Sequence, residues 1–329
     1  MANTQLKNML ISIIIPVLNE EKNIPILYDR LKKSLAGFKY EIIFVNDGSW
    51  DQSQAIINSL NQKDTNLKLI NLSRNFGHQI AISCGIDYAQ GDAAIIIDAD
   101  LQDPPEIIPS MIKKWQEGFD VVYAVRKARE GEGIFKKLSA SIFYRLMRIL
   151  SGTKIPLDTG DFRLISKKVI LVLRRTREYQ RFMRGLISWV GFPQCGIEFT
   201  RGKRFSGKTK YPLFSMIKFA LDGILSFSLL PLRIVSIMGI ATVAILLLLI
   251  IYSLYRTITG HTVPGWASTT VIILFLGSIQ LISVGIIGEY LGRVYEEVKR
   301  RPLYIIDSSL GIENQQEENR QKNRVPNED

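Results

Sequence analysis

The stretch Ile95-Ile96-Ile97-Asp98-Ala99-Asp100-Leu101-Gln102-Asp103 decides the expected fold, because an apolar run ends abruptly in acidic residues. A continuous run of β-branched residues is typical of a buried parallel strand. Carboxylates are costly to bury without a partner, so acids at the end of such a strand indicate a cation. Asp98, Asp100 and Gln102 offer hard oxygen ligands, which suit Mg²⁺ or Mn²⁺. An acidic strand-to-loop junction is the alternative interpretation of a lone Asp-x-Asp.

Three apolar runs upstream repeat this pattern of a strand that ends in polar residues. They cover 12–18, 40–45 and 67–72. Segments with apolar residues at helical spacing follow them, at 20–36, 50–62 and 79–88. This alternation predicts a doubly wound α/β fold with a largely parallel sheet, whose ligands bind at the carboxyl ends of the strands. All four polar clusters fall at such ends, which favours a functional site over a set of ordinary turns.

Six motifs, taken in order, resemble those of family-two glycosyltransferases with the GT-A fold. They lie at 16–20, 46–49, 98–105, 158–163, 181–192 and 204–211. Within that family the chain resembles the dolichyl-phosphate mannose synthase branch, and especially the bacterial undecaprenyl-phosphate (bactoprenol) glucosyltransferases. The resemblance implies an inverting, metal-dependent transfer of a sugar, with glucose as the first expectation, from a UDP-sugar to polyprenyl phosphate.

The resemblance also implies roles at the donor side of the site. Asp47 is expected to accept a hydrogen bond from the base, and Arg126 to contact phosphate. A metal held by Asp98, Asp100 and Gln102 would bridge the diphosphate and act as a Lewis acid. The expected nucleotide-binding residues are Pro16, Leu18, Glu20, Asp47, Ser49 and Asp98.

Two of these donor-side features also have a purely structural interpretation. The residues around Glu20 also fit an ordinary turn before a helix, in which Asn19 caps the N terminus. Arg126 also fits a solvated surface arginine.

The acceptor side of the expected site is basic. Lys137 and Ser141 lie four residues apart on a predicted helix and therefore face the same way. They match the Arg and Ser that hold the lipid phosphate in the mannose synthase branch, although a lysine cannot make the bidentate contact of an arginine. Arg204 and Lys210 are carried over from the second basic segment, where Lys208 replaces a Glu common in relatives. The alternative is that these cations bind anionic lipid.

Asp158, Asp100 and Arg126 are the residues expected to act in catalysis. A phosphate monoester is already largely dianionic at neutral pH, because its second pKa is about 6. Such an acceptor needs no strong general base, so Asp158 is expected mainly to orient it or to balance charge. Asp161 is the second candidate on the acceptor face.

Two long apolar segments, 232–255 and 268–291, are each long enough to span a bilayer. Large core helices are the alternative interpretation. Basic residues crowd the outer flanks, so the positive-inside rule predicts that the catalytic domain and both termini are cytoplasmic. The resemblance to bacterial enzymes implies that the membrane is the inner (plasma) membrane of a bacterium. The expected parts are a catalytic domain (1–173), an acceptor-side region with juxtamembrane amphipathic helices (174–230), a transmembrane hairpin (231–292) and a polar cytoplasmic tail (293–329), disordered after Ser308.

Composition limits the classes of partner that are expected to bind the chain. The net charge of +11 suits anionic phosphates or an anionic leaflet, while the apolar segments and the lack of a recognised nucleic-acid motif argue against nucleic acid. Two cysteines are too few for a disulfide framework. Gly285, Gly288 and Gly292 permit close helix packing, so a homo-oligomer is an open alternative.

Two other function classes are weighed against the transferase. A processive polysaccharide synthase would need more spans and a Gln-x-x-Arg-Trp motif, whereas this chain has Gln180-Arg-Phe-Met-Arg184-Gly185. A non-catalytic, membrane-anchored nucleotide-binding module would bind nucleotide without turnover.

Overall fold

The computed structural model describes residues 9–126, 159–200, 230–260 and 265–312 of the 329-residue chain. The chain forms two compact units. One contains the sheet and resumes at Pro302, and the other contains the two long helices and ends at Arg301. The predicted juxtamembrane helices between 201 and 229 lie outside the described residues.

An eight-stranded sheet is the centre of the first unit. Its strands are β1 (Leu10–Val17), β2 (Lys39–Asn46), β3 (Leu67–Leu72), β4 (Ala93–Ile96), β5 (Val121–Arg126), β6 (Thr159–Ser166), β7 (Gln194–Phe199) and β8 (Ile306–Leu310). Their order is β7-β5-β6-β4-β1-β2-β3-β8. Neighbours among β1 to β4 pair in parallel, β6 is antiparallel to β4 and β5, and β8 is antiparallel to β3.

Six helices of the described residues pack in the sheet unit. They are α1 (Ile24–Ser34), α2 (Ser53–Asn61), α3 (His78–Tyr88), α4 (Ile108–Gln116), α5 (Lys167–Arg175) and α6 (Met183–Trp189). The three helices predicted from apolar spacing are confirmed as α1, α2 and α3, with bounds shorter than or close to the expected ones.

The central strands are buried on both faces, as expected for a parallel sheet covered by helices. Ile13, Ile14 and Ile15 of β1 are fully buried, and burying each such side chain contributes about 1.5–3 kcal/mol. Helix α3 lies directly against this strand, because a Cβ at Gly85 would overlap the side chain of Ile14. This close packing fixes the position of α3, whose first residue, His78, belongs to the site described below.

Strands β6, β7 and β8 were not expected from the sequence. Strand β6 contains most of the motif at 158–163 and places Asp161 in the sheet. Strand β8 lies within the segment assigned to a polar tail, and the disorder expected after Ser308 is wrong for its last residues, Ser309 and Leu310. Main-chain hydrogen bonds to the open edge of β3 need no apolar side chains, which is why the polar composition concealed this strand.

The second unit contains helices α7 (Leu230–Ile258) and α8 (Trp266–Lys299). Within them, Leu232–Arg256 and Val271–Lys299 are long and apolar enough to cross a membrane, by length and composition. Neither candidate span is buried inside the protein, which does not fit the alternative of a large core helix. Helix α8 ends at Lys299, beyond the predicted end of the hairpin at 292, because its last turns are charged but still helical.

Candidate active site

The site lies at the carboxyl edge of the sheet, where the strand order reverses. Strand β1 has β2 on one side and β4 on the other, so the loops after β1 and β4 separate at this edge. A crevice at such a switch point is where open α/β sheets bind ligands. The predicted clusters at Asn19, Asp47 and Asp98 all follow strands that end here.

Asp47 holds the loop between β3 and α3 against the end of β2. Its Oδ1 accepts a hydrogen bond from the amide of Phe76 (2.7 Å), and its Oδ2 accepts one from the amide of Gly77 (3.0 Å). Burial raises the pKa of this carboxyl, while the two amides oppose the rise. The expected contact between Asp47 and a base stays a prediction.

Asn19 joins the loop after β1 to the loop after β2. Its amide donates to Ser49 Oγ (3.0 Å), and its Oδ1 accepts a hydrogen bond from the amide of Trp50 (3.0 Å). Its φ of 56° lies in the left-handed region, which asparagine adopts more readily than most residues. Asn19 therefore connects two loops, whereas the N-cap of α1 is Asn23.

The other predicted nucleotide-binding residues lie at the same edge. Pro16 is buried in β1, and Leu18 and Glu20 are half-buried just beyond it. The amide of Glu20 donates to Ser53 Oγ (3.0 Å), and its carboxylate accepts a hydrogen bond from Asn23 Nδ2 (2.6 Å). These bonds fix the turn into α1.

Gly48 allows the loop after β2 to approach the loop after β3. Its φ is +74°, and a Cβ here would lie 2.7 Å from Asn75 N and 2.8 Å from Arg74 C. We expect Gly48→Ala to displace Asp47 and to weaken binding of UDP, the nucleotide expected from the sequence, by about fivefold or more, since overpacking costs about 1–3 kcal/mol. Isothermal titration calorimetry with UDP measures the loss.

Gly37→Ala is the matched control for this substitution. Gly37 also has a positive φ, of +90°, but a Cβ added there would meet no atom of the described residues within 4 Å. The variant should lose some stability and keep its affinity for UDP. Equal affinities of the two variants would contradict the role given to Gly48.

A cluster of charged and polar side chains joins β4, α3, β6 and α6 at Asp98. His78 Nε2 lies 3.3 Å from Asp98 Oδ1 and 3.4 Å from Asp161 Oδ2. Arg184 donates two hydrogen bonds to Asp161, from Nε to Oδ1 (2.8 Å) and from Nη2 to Oδ2 (3.0 Å). Gln79 Nε2 donates a further one to Asp161 Oδ2 (3.2 Å). We call His78, Gln79, Asp161 and Arg184 the brace of Asp98.

Opposite charges face one another in the cluster that the brace forms with Asp98. Burial lowers the pKa of His78, but the carboxylates of Asp98 and Asp161 outweigh it and raise that pKa to about 9. Burial also opposes ionisation of Asp161, yet Arg184 and His78 hold its pKa well below the usual value. The pKa of Asp98 is raised because burial outweighs the attraction of His78. Asp98 is therefore the carboxylate of this cluster that would gain most from a further cation.

The acidic groups of Asp98 and Asp100 fit the divalent cation that is expected here. Asp98 Oδ1 is buried and takes part in no hydrogen bond within the described residues, while the side chain as a whole keeps 27% exposure. Asp100 Oδ1 accepts the amide of Gln102 (3.1 Å), which fixes the turn after β4. Mg²⁺ commonly takes one or two carboxylates together with substrate phosphates.

The described residues give less support to a metal site whose ligands all come from the protein. In the described part of the chain, no three His, Cys, Asp or Glu side chains form a group that could hold a metal ion. The two carboxylates therefore suit a cation that arrives with its substrate. The expected role of the Gln102 side chain stays a prediction.

Arg126 ends β5 with its guanidinium against the backbone of β6. A Cβ at Gly160 would lie 2.6 Å from Arg126 Nη2, so a larger residue there would require the Arg126 side chain to move. Arg163 donates from Nη2 to Gly160 O (2.7 Å), and burial lowers its pKa to about 10. Arg126 is half-buried, which does not fit the alternative of a solvated surface arginine. Its contact with phosphate stays a prediction.

The predicted acceptor residues are not among those that the structure describes. They are Lys137, Ser141, Asp158, Arg204 and Lys210. Their roles stay predictions.

Three residues of the brace were not predicted from the sequence. His78 directly follows the third strand and its polar turn, so its position at the carboxyl edge was a usable signal. Gln79 is the next residue and was assigned to the helix alone. Arg184 comes from a distant motif, and nothing in the sequence pairs it with Asp161. The structure shows Asp161 bound to His78 and Arg184, and its expected place on the acceptor face stays a prediction.

Comparison with known proteins identifies the class to which this fold and site belong. The sequence profile of Glycosyl transferase family 2 matches residues 12–173. An uncharacterized glycosyltransferase of Bacillus subtilis (strain 168), YkcC, is 51% identical over 306 residues, which cover 92% of this chain and 95% of the relative. The chain belongs to glycosyl transferase family 2.

Two further proteins that are similar to this chain have more specific names. The prophage bactoprenol glucosyl transferase homolog of Escherichia coli (strain K12) is 43% identical over 301 residues, covering 91% of this chain and 98% of the relative. A crystal structure of glucosyl-3-phosphoglycerate synthase from Mycobacterium tuberculosis, with Mn²⁺, UDP-glucose and phosphoglyceric acid, aligns with a TM-score of 0.45 at 17% identity, over 66% of this chain and 78% of that one. The second likeness is too small to carry an argument about ligands. The predicted family and the α/β class with a largely parallel sheet are confirmed.

Proposed function

We propose that this chain transfers glucose from UDP-glucose to undecaprenyl phosphate, with inversion at the anomeric carbon, at the cytoplasmic face of the bacterial plasma membrane. The observation that supports this proposal most strongly is the extent of the similarity to the bactoprenol glucosyl transferase homolog. It covers 98% of that relative and 91% of this chain, and therefore includes apolar helices as well as the sheet. A SfII prophage-derived bactoprenol glucosyl transferase of Shigella flexneri gives the same support, at 42% identity over 304 residues.

The donor side of the proposed site uses the loops at the carboxyl edge. The loops held by Asn19 and Asp47 would receive the nucleotide, and Asp98 and Asp100 would hold Mg²⁺ or Mn²⁺ beside its diphosphate. When bound, the cation would neutralise the charge that develops on the leaving diphosphate. The brace keeps Asp98 oriented, since His78 touches it and Arg184 fixes Asp161. Arg126 would add a charged contact to phosphate.

The acceptor side of the proposed site needs orientation rather than a strong base. An oxygen of the dianionic acceptor phosphate attacks the anomeric carbon from the face opposite UDP. The bond between that carbon and the β-phosphate oxygen breaks, and UDP leaves with the electron pair. Lys137, Ser141, Arg204 and Lys210 would hold the acceptor phosphate, and Asp158 would orient it.

The membrane arrangement is part of the proposal. Two candidate spans agree with an acceptor whose polyprenyl tail stays in lipid. Arg300 and Arg301 follow α8 directly, which supports a cytoplasmic location for this end of the helix and for the sheet unit that the chain enters next.

Labelled glucose tests the transfer itself. Full-length protein in lipid vesicles, given UDP-[¹⁴C]glucose, Mg²⁺ or Mn²⁺ and undecaprenyl phosphate, should release label into the organic phase. Undecaprenol, which lacks the phosphate, should give none. Label in water-soluble polysaccharide would favour a processive synthase, and UDP binding without any transfer would favour a nucleotide-binding module.

The Arg204→Ala variant tests whether Arg204 binds the acceptor phosphate rather than the donor. Loss of a charge-assisted contact, worth about 1.5–3 kcal/mol, should reduce transfer to undecaprenyl phosphate by more than about tenfold. Affinity for UDP should stay close to that of the wild type. An equal loss of transfer and of UDP affinity would contradict the placing of Arg204 at the acceptor.

A further inference from the structure

Three polar side chains connect the last described strand to the nucleotide loop at 47–50. In the sheet register, Ser308 of β8 pairs with Asn71 of β3, and Asn71 pairs with Asn46 at the end of β2. Asn71 Nδ2 donates to Ser308 Oγ (2.9 Å), and Asn46 Nδ2 donates to Asn71 Oδ1 (2.9 Å). Asn46 Oδ1 accepts a hydrogen bond from the amide of Ser49 (3.0 Å). We call Ser308, Asn71 and Asn46 the amide relay.

The direction of the amide relay is fixed at its loop end. The backbone amide of Ser49 can only donate, so Asn46 must turn its oxygen toward the loop and its nitrogen toward Asn71. Asn71 must then turn its oxygen toward Asn46 and its nitrogen toward Ser308. Asn46 and Asn71 are buried, and a buried amide that loses a partner is destabilised by its full desolvation penalty. Each member therefore restricts the orientation of the next.

The loop that the amide relay reaches belongs to the donor side of the site. Ser49, whose amide is held by Asn46, also accepts the Asn19 hydrogen bond through its hydroxyl. Asp47, which immediately follows Asn46, holds the loop after β3. A shift of the Asn46 side chain would therefore move two loops at once.

The other end of the amide relay lies close in sequence to the second candidate span. Helix α8 ends at Lys299, and the chain passes from the helical unit to the sheet unit between Arg301 and Pro302. Two hydrogen bonds attach the chain to the sheet unit just before β8. Tyr304 OH donates to Asp87 Oδ2 (2.8 Å), and Ile305 O accepts the amide of Ser73 (2.9 Å).

We propose that Ser308, Asn71 and Asn46 are positioning residues for the donor nucleotide, and that docking of β8 on β3 completes the donor site. This inference rests on the proposed function, because its ligand is the UDP portion of the donor. A chain whose segment after the second span is undocked keeps its sheet and its Asp98 cluster but binds the donor weakly. Attachment of that segment is thereby coupled to donor affinity.

Ser308→Ala is the test, because Ser308 lies on the exposed edge strand and its loss should not prevent folding. Without its acceptor, the Asn71 amide can rotate and release Asn46. Loss of one hydrogen bond of this kind should raise both the Kd for UDP and the donor KM by about three- to tenfold. The kcat and the KM for undecaprenyl phosphate should not change.

Two variants of the same strand serve as controls. Ser308→Thr keeps a hydroxyl on a β-branched residue that strands favour, and it should restore wild-type values. Ser309→Ala removes a hydroxyl from the opposite face of β8 and should have no effect on UDP binding. Hydrogen exchange of the Ser49 amide should become faster in Ser308→Ala alone.

Three results would overturn the inference while leaving the proposed function intact. They are equal UDP affinity of Ser308→Ala and Ser309→Ala, a loss of kcat at unchanged donor KM, and failure of Ser308→Thr to restore binding. A wild-type protein that transfers no glucose and binds no UDP would instead overturn the proposed function, and this inference with it.

Discussion

Asp100→Asn is expected to reduce glucosyl transfer by about 10²-fold or more, because it removes a ligand charge beside the leaving diphosphate. The substitution keeps the volume of the side chain, and its amide oxygen can still accept the hydrogen bond from Gln102 that shapes the turn. The protein should therefore fold and insert normally. Chelation of divalent ions should inhibit the wild type, and Mn²⁺ or Mg²⁺ should restore it.

Asp92→Asn is the matched control for this result. Asp92 lies just before β4, at the opposite edge of the sheet, and its Oδ2 accepts the amide of Leu10 (2.9 Å), as an asparagine oxygen also can. It should keep nearly full activity. Binding of Mn²⁺ in the presence of UDP, measured by electron paramagnetic resonance, gives a second test. Asp100→Asn should lose this binding, and Asp92→Asn should keep it. Full activity in excess chelator would contradict the metal assignment.

Arg184→Met is expected to lower the free energy of unfolding by about 2–4 kcal/mol, because it leaves a buried carboxylate without its bidentate partner. The Asp161 side chain is 6% exposed, so water cannot replace the lost hydrogen bonds fully. His78 and Gln79 still contact Asp161, which keeps the expected loss below that of a fully unpaired charge. Urea unfolding of detergent-solubilised protein, followed by fluorescence, measures it.

Arg30→Met makes the same substitution in a pair with the same geometry at the surface. Arg30 donates two hydrogen bonds to Glu106 (2.8 and 2.7 Å), but the two side chains are 32% and 56% exposed. Exposed ion pairs contribute about 0–1 kcal/mol, so this variant should unfold almost like the wild type. Similar losses for the two variants would contradict the view that Asp161 is held mainly by Arg184.

Local patterns in the sequence were enough to predict the part of the fold that carries the donor loops. The isoleucines before Asp98 and those around Ile14 predicted buried parallel strands, and the polar residues after them indicated one sheet edge. Both inferences depend only on residues near one another in the chain, since burial on both faces requires a continuous apolar run. The positions of Asp47 and Asp98 at the same edge followed from strand direction alone.

Contacts between segments that are distant in the sequence could not be predicted from local patterns. Arg184 meets Asp161, and Ser308 meets Asn71, across 23 and 237 positions respectively, and neither pair has a local signal. Strand β8 is polar and pairs with an edge, so it lacks the apolar pattern by which the other strands were recognised. The sequence placed Asp47 at the site but gave no indication that its two oxygens hold the loop after β3.

The product formed from purified protein, UDP-glucose and undecaprenyl phosphate tests the central claim most directly. Mass spectrometry of the organic phase should show undecaprenyl phosphate plus one hexose, with UDP released in equal amount. Nuclear magnetic resonance should show a phosphodiester whose anomeric configuration is opposite to that of the α-linked donor. Free glucose, a water-soluble glucan or a product with retained configuration would contradict the claim that a lipid phosphate attacks the anomeric carbon with inversion.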